Sequence, residues 1–190
     1  VDHIALSIID TAEFQRLRYI HQGGVLHYVF PTANHCRFEH SIGTYHLAKK
    51  MINNIKSNQP ELDITDDIDK VVSIAGLCHQ LGDMMYSHLF DDLFLPKLDN
   101  YKDFGELAIH EYRSIVLLKH IVKKYNLDIS NEEVTVISDL INPKTEQYDT
   151  WDTKFKKGRW MFEIISNPRN NVDVDKFDYI NRDNRAVGLK

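Results

Sequence analysis

Apolar residues recur at the three-to-four-residue spacing of α-helices along most of the chain. The spacing predicts helices at residues 11–21, 38–57, 66–79, 104–125, 130–141, 159–167 and 172–188. Their inward faces would carry Leu47, Ala48, Met51, Ile52, Ile55, Val71, Val72, Ala75, Cys78, Leu107, Ile115, Leu118 and Ile121. The segment 26–31 (LHYVFP) is β-branched and aromatic, which favours a short strand or an extended piece. With strands this scarce, we expect an all-α fold with at most a short strand near 26–31.

Capping residues, glycines and a proline mark the ends of several predicted helices. Asp10 or Thr11 would cap the helix at 11–21, and Gly23-Gly24 would end it. Asn142-Pro143 closes the helix at 130–141, and residues 143–158 are expected to form a long irregular loop. No internal boundary or repeat is visible, so residues 1–190 are expected to form a single domain.

Composition narrows the class of protein. The 190 residues are 43% hydrophobic and carry a net charge of −5, which is a poor match for nucleic acid or anionic membranes. The most basic stretch, residues 154–159, is more typical of a solvated loop than of a phosphate-binding site. No apolar run approaches the length of a membrane span, and the first residues lack the features of a signal peptide. Two cysteines allow no disulfide framework, which indicates an intracellular protein. Abundant Asn, Asp, Ile and Lys fit a low-GC source such as a large DNA virus or a protist.

Histidines stand out among the polar residues, since the chain has ten. His40, His79 and His110 each fall on an apolar helix face, where a single histidine is most simply a hydrogen-bonded core residue. A carboxylate-rich segment, D-V-D-K-F-D-Y at 173–179, would place Asp175 and Asp178 on adjacent helical turns. Burying this many polar groups is costly without a partner, and a metal or a phosphate is the natural one.

Five segments occur in the order found in the HD-domain phosphohydrolases. They are R-F-E-H-S-I-G (37–43), A-G-L-C-H-Q-L-G-D (75–83), Y-S-H-L-F-D (86–91), H-E (110–111) and D-V-D-K-F-D-Y (173–179). From about residue 8 to 190 the chain resembles, more narrowly, the catalytic domain of the SAM-and-HD-domain deoxynucleoside triphosphate triphosphohydrolases. The resemblance implies an HD-domain helical bundle. It also implies attack of a metal-activated water on the α-phosphate, which yields a deoxynucleoside and triphosphate. The SAM module and the C-terminal helices of that family are expected to be absent.

The resemblance also implies roles for individual positions. The metal ligands would be His40, His79, position 80 and Asp175, with Mg, Mn, Fe or Zn as the divalent ion. The polar catalytic positions would be His88, Asp91, His110 and position 83. The nucleotide contacts would be Gln22, Arg37, Lys176, Tyr179 and Asp183. A guanine-nucleotide allosteric site, which drives oligomer formation in the family, would use Asp10, Gln15 and Arg18.

Two positions depart from the family pattern. Position 80 is Gln rather than Asp, so the metal site loses a negative charge and its metal is expected to be weakened or lost. Position 83 is Asp rather than His, which places a carboxylate beside the phosphates and removes an acid suited to pH 7. Asp83 could instead replace the missing ligand if the helical turn persists.

Two hypotheses follow for function. The first is a degenerate, catalytically impaired triphosphohydrolase homologue that keeps a nucleotide and metal pocket. It would bind a deoxynucleoside triphosphate or GTP, and associate with itself or with an active homologue as a regulator. The alternative is an active metal-dependent triphosphohydrolase or other phosphohydrolase that uses His40, His79, Asp175 and Asp83. A nucleic-acid-binding module and a purely structural remnant with a collapsed pocket are further readings, and the net charge disfavours the former.

Overall fold

Two consecutive long helices form the centre of the protein in a computed structural model, which describes residues 1–143, 155 and 158–189. Helices α3 (Arg37–Asn58) and α4 (Asp66–Cys78) pack along each other. Around them lie α1 (His3–Ile9), α2 (Ala12–Gln15), α5 (His110–Lys124), α6 (Asn131–Ile141), α7 (Phe162–Ile165) and α8 (Val174–Val187). Short 3-10 turns occupy Arg16–Tyr19, Leu26–Tyr28, Pro60–Leu62, Leu95–Lys97, Tyr101–Ala108 and Arg159–Met161, and a π-helical turn occupies Phe90–Phe94.

Side-chain caps fix where several helices begin. Thr11 accepts the Phe14 N–H and starts α2, while Thr65 accepts the Ile68 N–H and starts α4. Ser130 forms a reciprocal capping box with Glu133 at the start of α6. Asp173 accepts the Lys176 N–H and starts α8, which places Asp175 in the first turn of that helix.

Helix α4 is the most deeply buried element of the described chain. From Val71 to Cys78 every side chain is buried, because α3, α5, α6 and α7 all pack against this helix. The predicted inward residues Val71, Val72, Ala75 and Cys78 are therefore confirmed. A helix enclosed in this way is a rigid support for His79, the residue at its C-terminal cap.

The all-α prediction is confirmed, and within the described ranges the only β-type pairing is an isolated bridge between His21 and Cys36. The short strand that the composition of 26–31 allowed is not formed: Leu26–Tyr28 is a 3-10 turn, and residues 28–30 are exposed. The helix predicted at 11–21 divides into α2 and a 3-10 turn. Thr11 rather than Asp10 caps α2, since Asp10 instead ends α1, a helix that the periodicity did not predict.

The single long helix predicted at 104–125 is also wrong. Gly105 has a φ of 50°, and Ile109 is extended, so a 3-10 segment precedes α5. The break leaves Leu107 exposed and makes His110 the first residue of α5. Most of the predicted loop at 143–158, and the basic stretch at 154–159, lie outside the described residues. None of the described helices is long and apolar enough to cross a membrane.

The two cysteines are expected to differ in reactivity. Complete burial raises the pKa of the Cys78 thiol to about 12, whereas Cys36 is half-buried at the start of α3. A thiol-specific reagent at pH 8 should therefore label Cys36 in the native protein and Cys78 only after unfolding in urea. Mass spectrometry of the labelled peptides gives the answer. Equal labelling of both peptides under native conditions would contradict the packing of α4.

Candidate metal and nucleotide site

Three helical segments bring two imidazoles and one carboxylate to a common point. His40 comes from α3, His79 follows α4, and Asp175 lies in the first turn of α8. The Nε2 atoms of His40 and His79 are each 2.9 Å from Asp175 Oδ1. Their ligand atoms all lie within 4.8 Å of one another, and both imidazoles are buried.

The Nδ1 atom of each imidazole, which faces away from Asp175, forms a hydrogen bond with an acceptor oxygen. His79 Nδ1 is 2.8 Å from the Gly76 carbonyl oxygen, and His40 Nδ1 is 2.7 Å from Asp178 Oδ2. Because carbonyl and carboxylate oxygens only accept, each Nδ1 carries the proton and donates. In the neutral rings, both Nε2 lone pairs therefore point towards Asp175. This is the arrangement of metal-binding histidines whose orientation is fixed by an outer partner.

Electrostatics at the cluster favour a positive charge. Burial opposes protonation of His40, but the carboxylates of Asp175 and Asp178 outweigh it and raise its pKa. Burial would raise the pKa of Asp175, yet the His79 and His40 imidazoles hold it well below its usual range. Positive charge at this point is therefore stabilised, whether it comes from protons or from a metal ion.

The donor set fits a divalent metal ion. His40 Nε2 is buried and lacks a hydrogen bond to any described residue, although Asp175 lies close to it. Two imidazole nitrogens and a carboxylate oxygen form a three-ligand set that zinc or iron accepts, with other positions left for water or substrate.

Gln80 does not complete that ligand set. Its Oε1 accepts a hydrogen bond from Arg37 Nη1, and its Nε2 donates to Asp175 Oδ1 at 3.3 Å. The partners fix this orientation, because an arginine only donates and a carboxylate only accepts. The Gln80 amide thus directs its N–H group, rather than its oxygen, towards Asp175 Oδ1, the atom that both imidazole Nε2 atoms also face.

Asp83 forms an ion pair with Arg37 instead of joining the cluster. The Asp83 Oδ2 to Arg37 Nε distance is 2.6 Å, and both side chains are 1% exposed. The single Nε–H of Arg37 donates to Ser87 Oγ at 3.1 Å, so the contact with Asp83 is an ion pair without a hydrogen bond of good geometry. Asp83 lies outside the group of ligand atoms around His40, so the structure does not bring it into the position of a replacement ligand.

The turn at residues 79–83 contains Gln80 and Asp83, and side chains from other parts of the chain hydrogen-bond to its backbone. Arg16 donates to the carbonyl oxygens of Leu81 and Asp83, and Arg113 donates to that of Gly82. Ser114 Oγ accepts the Gly82 N–H and donates to a backbone carbonyl. This bonding leaves the backbone of the turn little freedom to move Asp83 towards the cluster.

The remaining predicted catalytic residues lie on the α5 side of the site. His110 Nδ1 is 3.6 Å from Asp83 Oδ1, and the rings of His88 and His110 meet edge to face at 5.4 Å. Asp91, in the π-helical turn, receives both of its hydrogen bonds from Arg113 Nη2, at 2.6 and 2.9 Å. The structure thus groups His88, His110 and Asp83, and engages Asp91 with a guanidinium.

The predicted nucleotide contacts are distributed along α8 and the segment before α3. Gln22 is 8% exposed, and its Oε1 has no hydrogen-bond partner among the described residues. Asp183 Oδ1 is 2.6 Å from His35 Nε2. Burial and then the carboxylates of Asp175, Asp173 and Asp183 raise the pKa of Tyr179, which is half-buried like Lys176.

The predicted allosteric residues surround the junction of α1 and α2. Gln15 Nε2 donates to the Ile9 carbonyl oxygen at 2.8 Å, and Arg18 Nε donates to Gln15 Oε1 at 2.7 Å. The Arg18 guanidinium stacks over the Phe38 ring at 3.5 Å, and Asp10 is exposed. Contacts within the chain therefore fix the side chains of Gln15 and Arg18.

Sequence reasoning missed several residues that shape the site. It did not identify Asp178 as the partner of His40, although the spacing from Asp175 would have allowed it. Arg16, Arg113 and Ser87 carried no sequence signal, because their partners lie far away in the chain.

Relatives in other organisms bear on the identity of the chain. It is 44% identical over 184 residues to the deoxynucleoside triphosphate triphosphohydrolase SAMHD1 homolog of Dictyostelium discoideum, which covers 96% of the chain. It is 40% identical over 201 residues to deoxynucleoside triphosphate triphosphohydrolase SAMHD1 of Mus musculus, which covers 98%. An HD domain-containing protein, L394 of Acanthamoeba polyphaga mimivirus, is 35% identical over 202 residues and covers the full chain.

The chain corresponds to only part of the length of each of these relatives. The chain spans 33% of the Dictyostelium relative, 30% of the mouse relative and 41% of the mimivirus relative. No protein-family model matches the chain.

Close approach of α3 to α8 sets the position of Asp178, and Gly43 permits it. A Cβ at position 43 would overlap the Asp178 carboxylate and crowd Arg182. We expect Gly43→Ala to separate the helices and to lower the free energy of unfolding by about 1–3 kcal/mol, despite its better helix propensity.

Urea denaturation measures this cost. Asn53→Ala, on an exposed position of the same helix, is the matched control and should stay within about 0.5 kcal/mol of the native protein. A Gly43→Ala protein at least as stable as the native one would show that α8 does not lie where the structure places it.

Proposed function

This chain is an HD-domain relative of the deoxynucleoside triphosphate triphosphohydrolases, and we propose that it has lost most of their catalytic power while keeping a nucleotide-binding pocket. The observation that carries the proposal is the engagement of Arg37. One guanidinium contacts Gln80 Oε1 and Asp83 Oδ2, the two side chains that depart from the family pattern.

The metal centre is weakened by this arrangement. At position 80 a neutral amide stands where the resemblance expects an anionic ligand, and it points an N–H group at Asp175. A divalent ion held by His40, His79 and Asp175 would supply an activated water and charge neutralisation at the phosphate. Three ligands with a single negative charge retain it less firmly than four ligands with two.

The polar residues around the phosphates are compromised as well. Asp83 neutralises Arg37, the side chain that the resemblance assigns to the triphosphate. Asp91 is similarly occupied by Arg113. His110 and His88 remain next to each other, but His110 Nδ1 faces a carboxylate. The residues therefore hold one another instead of standing ready for an incoming phosphate.

A regulatory role fits a pocket that binds without efficient turnover. The residues matched to the allosteric site, Gln15 and Arg18, are pre-ordered beside the exposed Asp10. Guanine nucleotide at these residues would then link binding to association of the chain with itself or with an active homologue.

The second candidate, an active metal-dependent phosphohydrolase, is favoured by one observation. The two histidines and Asp175 converge with their outer nitrogens fixed, which is the geometry of a working metal site. Turnover separates the two candidates directly.

Triphosphate release from the four deoxynucleoside triphosphates tests the proposal, with Mg, Mn, Fe and Zn each supplied and GTP present. We expect the native chain to be slower than the Gln80→Asp, Asp83→His variant by roughly 100-fold or more, because the variant regains a metal ligand and an acid–base group. Metal content after dialysis should rise in parallel.

Gln59→Asp makes the same chemical change on an exposed position and is the matched control for metal content. Native turnover equal to that of the double variant, in proportion to bound metal, would favour the active enzyme instead. A double variant without bound metal would contradict the claim that the scaffold of the site is intact.

A further inference from the structure

Three guanidiniums beside the site, those of Arg37, Arg113 and Arg182, are each engaged by a carboxylate. Arg37 pairs with Asp83 at 2.6 Å, and Arg182 pairs with Asp178 through two contacts of 2.8 Å. Arg113 donates to both oxygens of Asp91. Guanidiniums bind phosphates through the same donors, so these three cations are not free to receive a phosphate chain.

The charge that remains around the cluster is close to balanced. Asp175 faces the two imidazoles without a cationic side chain of its own, and Lys176 lies next to it on α8. Among the side chains that the structure describes here, Lys176 has no carboxylate partner. The Arg16 guanidinium also lacks one, but the backbone carbonyl oxygens of Leu81 and Asp83 occupy its donors. One ammonium group can match one phosphate, but it cannot match a triphosphate.

Access to the Arg37 guanidinium is also limited. Arg37 and Asp83 are each 1% exposed, so a triphosphate would have to break a buried ion pair and leave Asp83 uncompensated. The Asp83 oxygens receive no hydrogen bond of good geometry from the described residues, so Arg37 is the main compensation for their charge. Several phosphate charges next to this carboxylate would repel it.

Neutral ligand groups meet a better match nearby. The Gln22 backbone N–H donates to the His35 carbonyl oxygen at 3.0 Å. The residue Gln22 and the side chain of His35 are each 8% exposed. Gln22 Oε1 and His35 Nδ1 are buried acceptors without a donor in the described chain. Because His35 Nε2 donates to Asp183, its Nδ1 is left with a lone pair. Hydroxyl and N–H groups of a nucleoside are suitable donors for both atoms.

From the engaged guanidiniums and the unpartnered acceptors we infer that this site selects a deoxynucleoside carrying at most one phosphate and discriminates against triphosphates. The inference rests on the proposed function, since it assumes that the chain keeps a nucleotide pocket. It goes further in making Asp83 the residue that determines how many phosphates the ligand carries.

Isothermal titration of the full chain tests the selection, with deoxyguanosine, dGMP and dGTP and the matching thymidine series as ligands. EDTA is included so that no metal ion neutralises the phosphates. We expect the nucleoside and the monophosphate to bind roughly tenfold or more tightly than the triphosphate. Asp83→Asn frees Arg37 and should tighten triphosphate binding by roughly tenfold, with little change for the nucleoside.

Asp92→Asn removes the same charge from an exposed neighbouring position and should change neither affinity. Native protein that binds the triphosphate as tightly as the nucleoside overturns the inference, and so does a folded Asp83→Asn protein with unchanged preference. If that variant does not fold, the ligand series on the native protein decides alone. Binding of no member of either series would refute the pocket itself, whereas turnover of triphosphates would refute only the proposed catalytic loss.

Discussion

The buried ion pair between Arg37 and Asp83 is the interaction on which the site depends. It joins α3 to the turn after α4, and both side chains are almost completely enclosed. Such a pair stabilises the fold only while both charges are present, since either one alone is costly in an apolar interior. Through Gln80, the same guanidinium reaches Asp175, so the ion pair and the histidine cluster form one continuous network.

That network explains why the two departures from the family pattern belong together. Gln80 presents an acceptor to Arg37 and a donor to Asp175, while Asp83 supplies the countercharge. The amide thus occupies the edge of the metal cluster with a hydrogen-bond donor. The side chains of this site therefore satisfy one another through a continuous set of hydrogen bonds and ion pairs.

Helical periodicity was sufficient to predict α3, α4 and α6, which bury many apolar side chains. It also predicted α8, although that helix buries only Val174 and Asp178. It failed at residues 104–125, where Gly105 and Ile109 break a continuous pattern. The β-branched and aromatic composition of 26–31 formed no strand, since the described residues offer it no partner strand. Motif resemblance identified His40, His79 and Asp175, which the structure brings together. The pairing of Arg37 with Asp83 could not be predicted, since a charged residue in a sequence has many candidate partners.

A double-mutant cycle on Arg37 and Asp83, measured by urea denaturation, tests the account most directly. Arg37→Met or Asp83→Leu alone leaves one buried charge without its partner and should cost about 3–5 kcal/mol. The double variant removes both charges, and we predict that it is more stable than either single variant. Costs that simply add, to within about 0.5 kcal/mol, would show that the two side chains do not interact and would contradict the account.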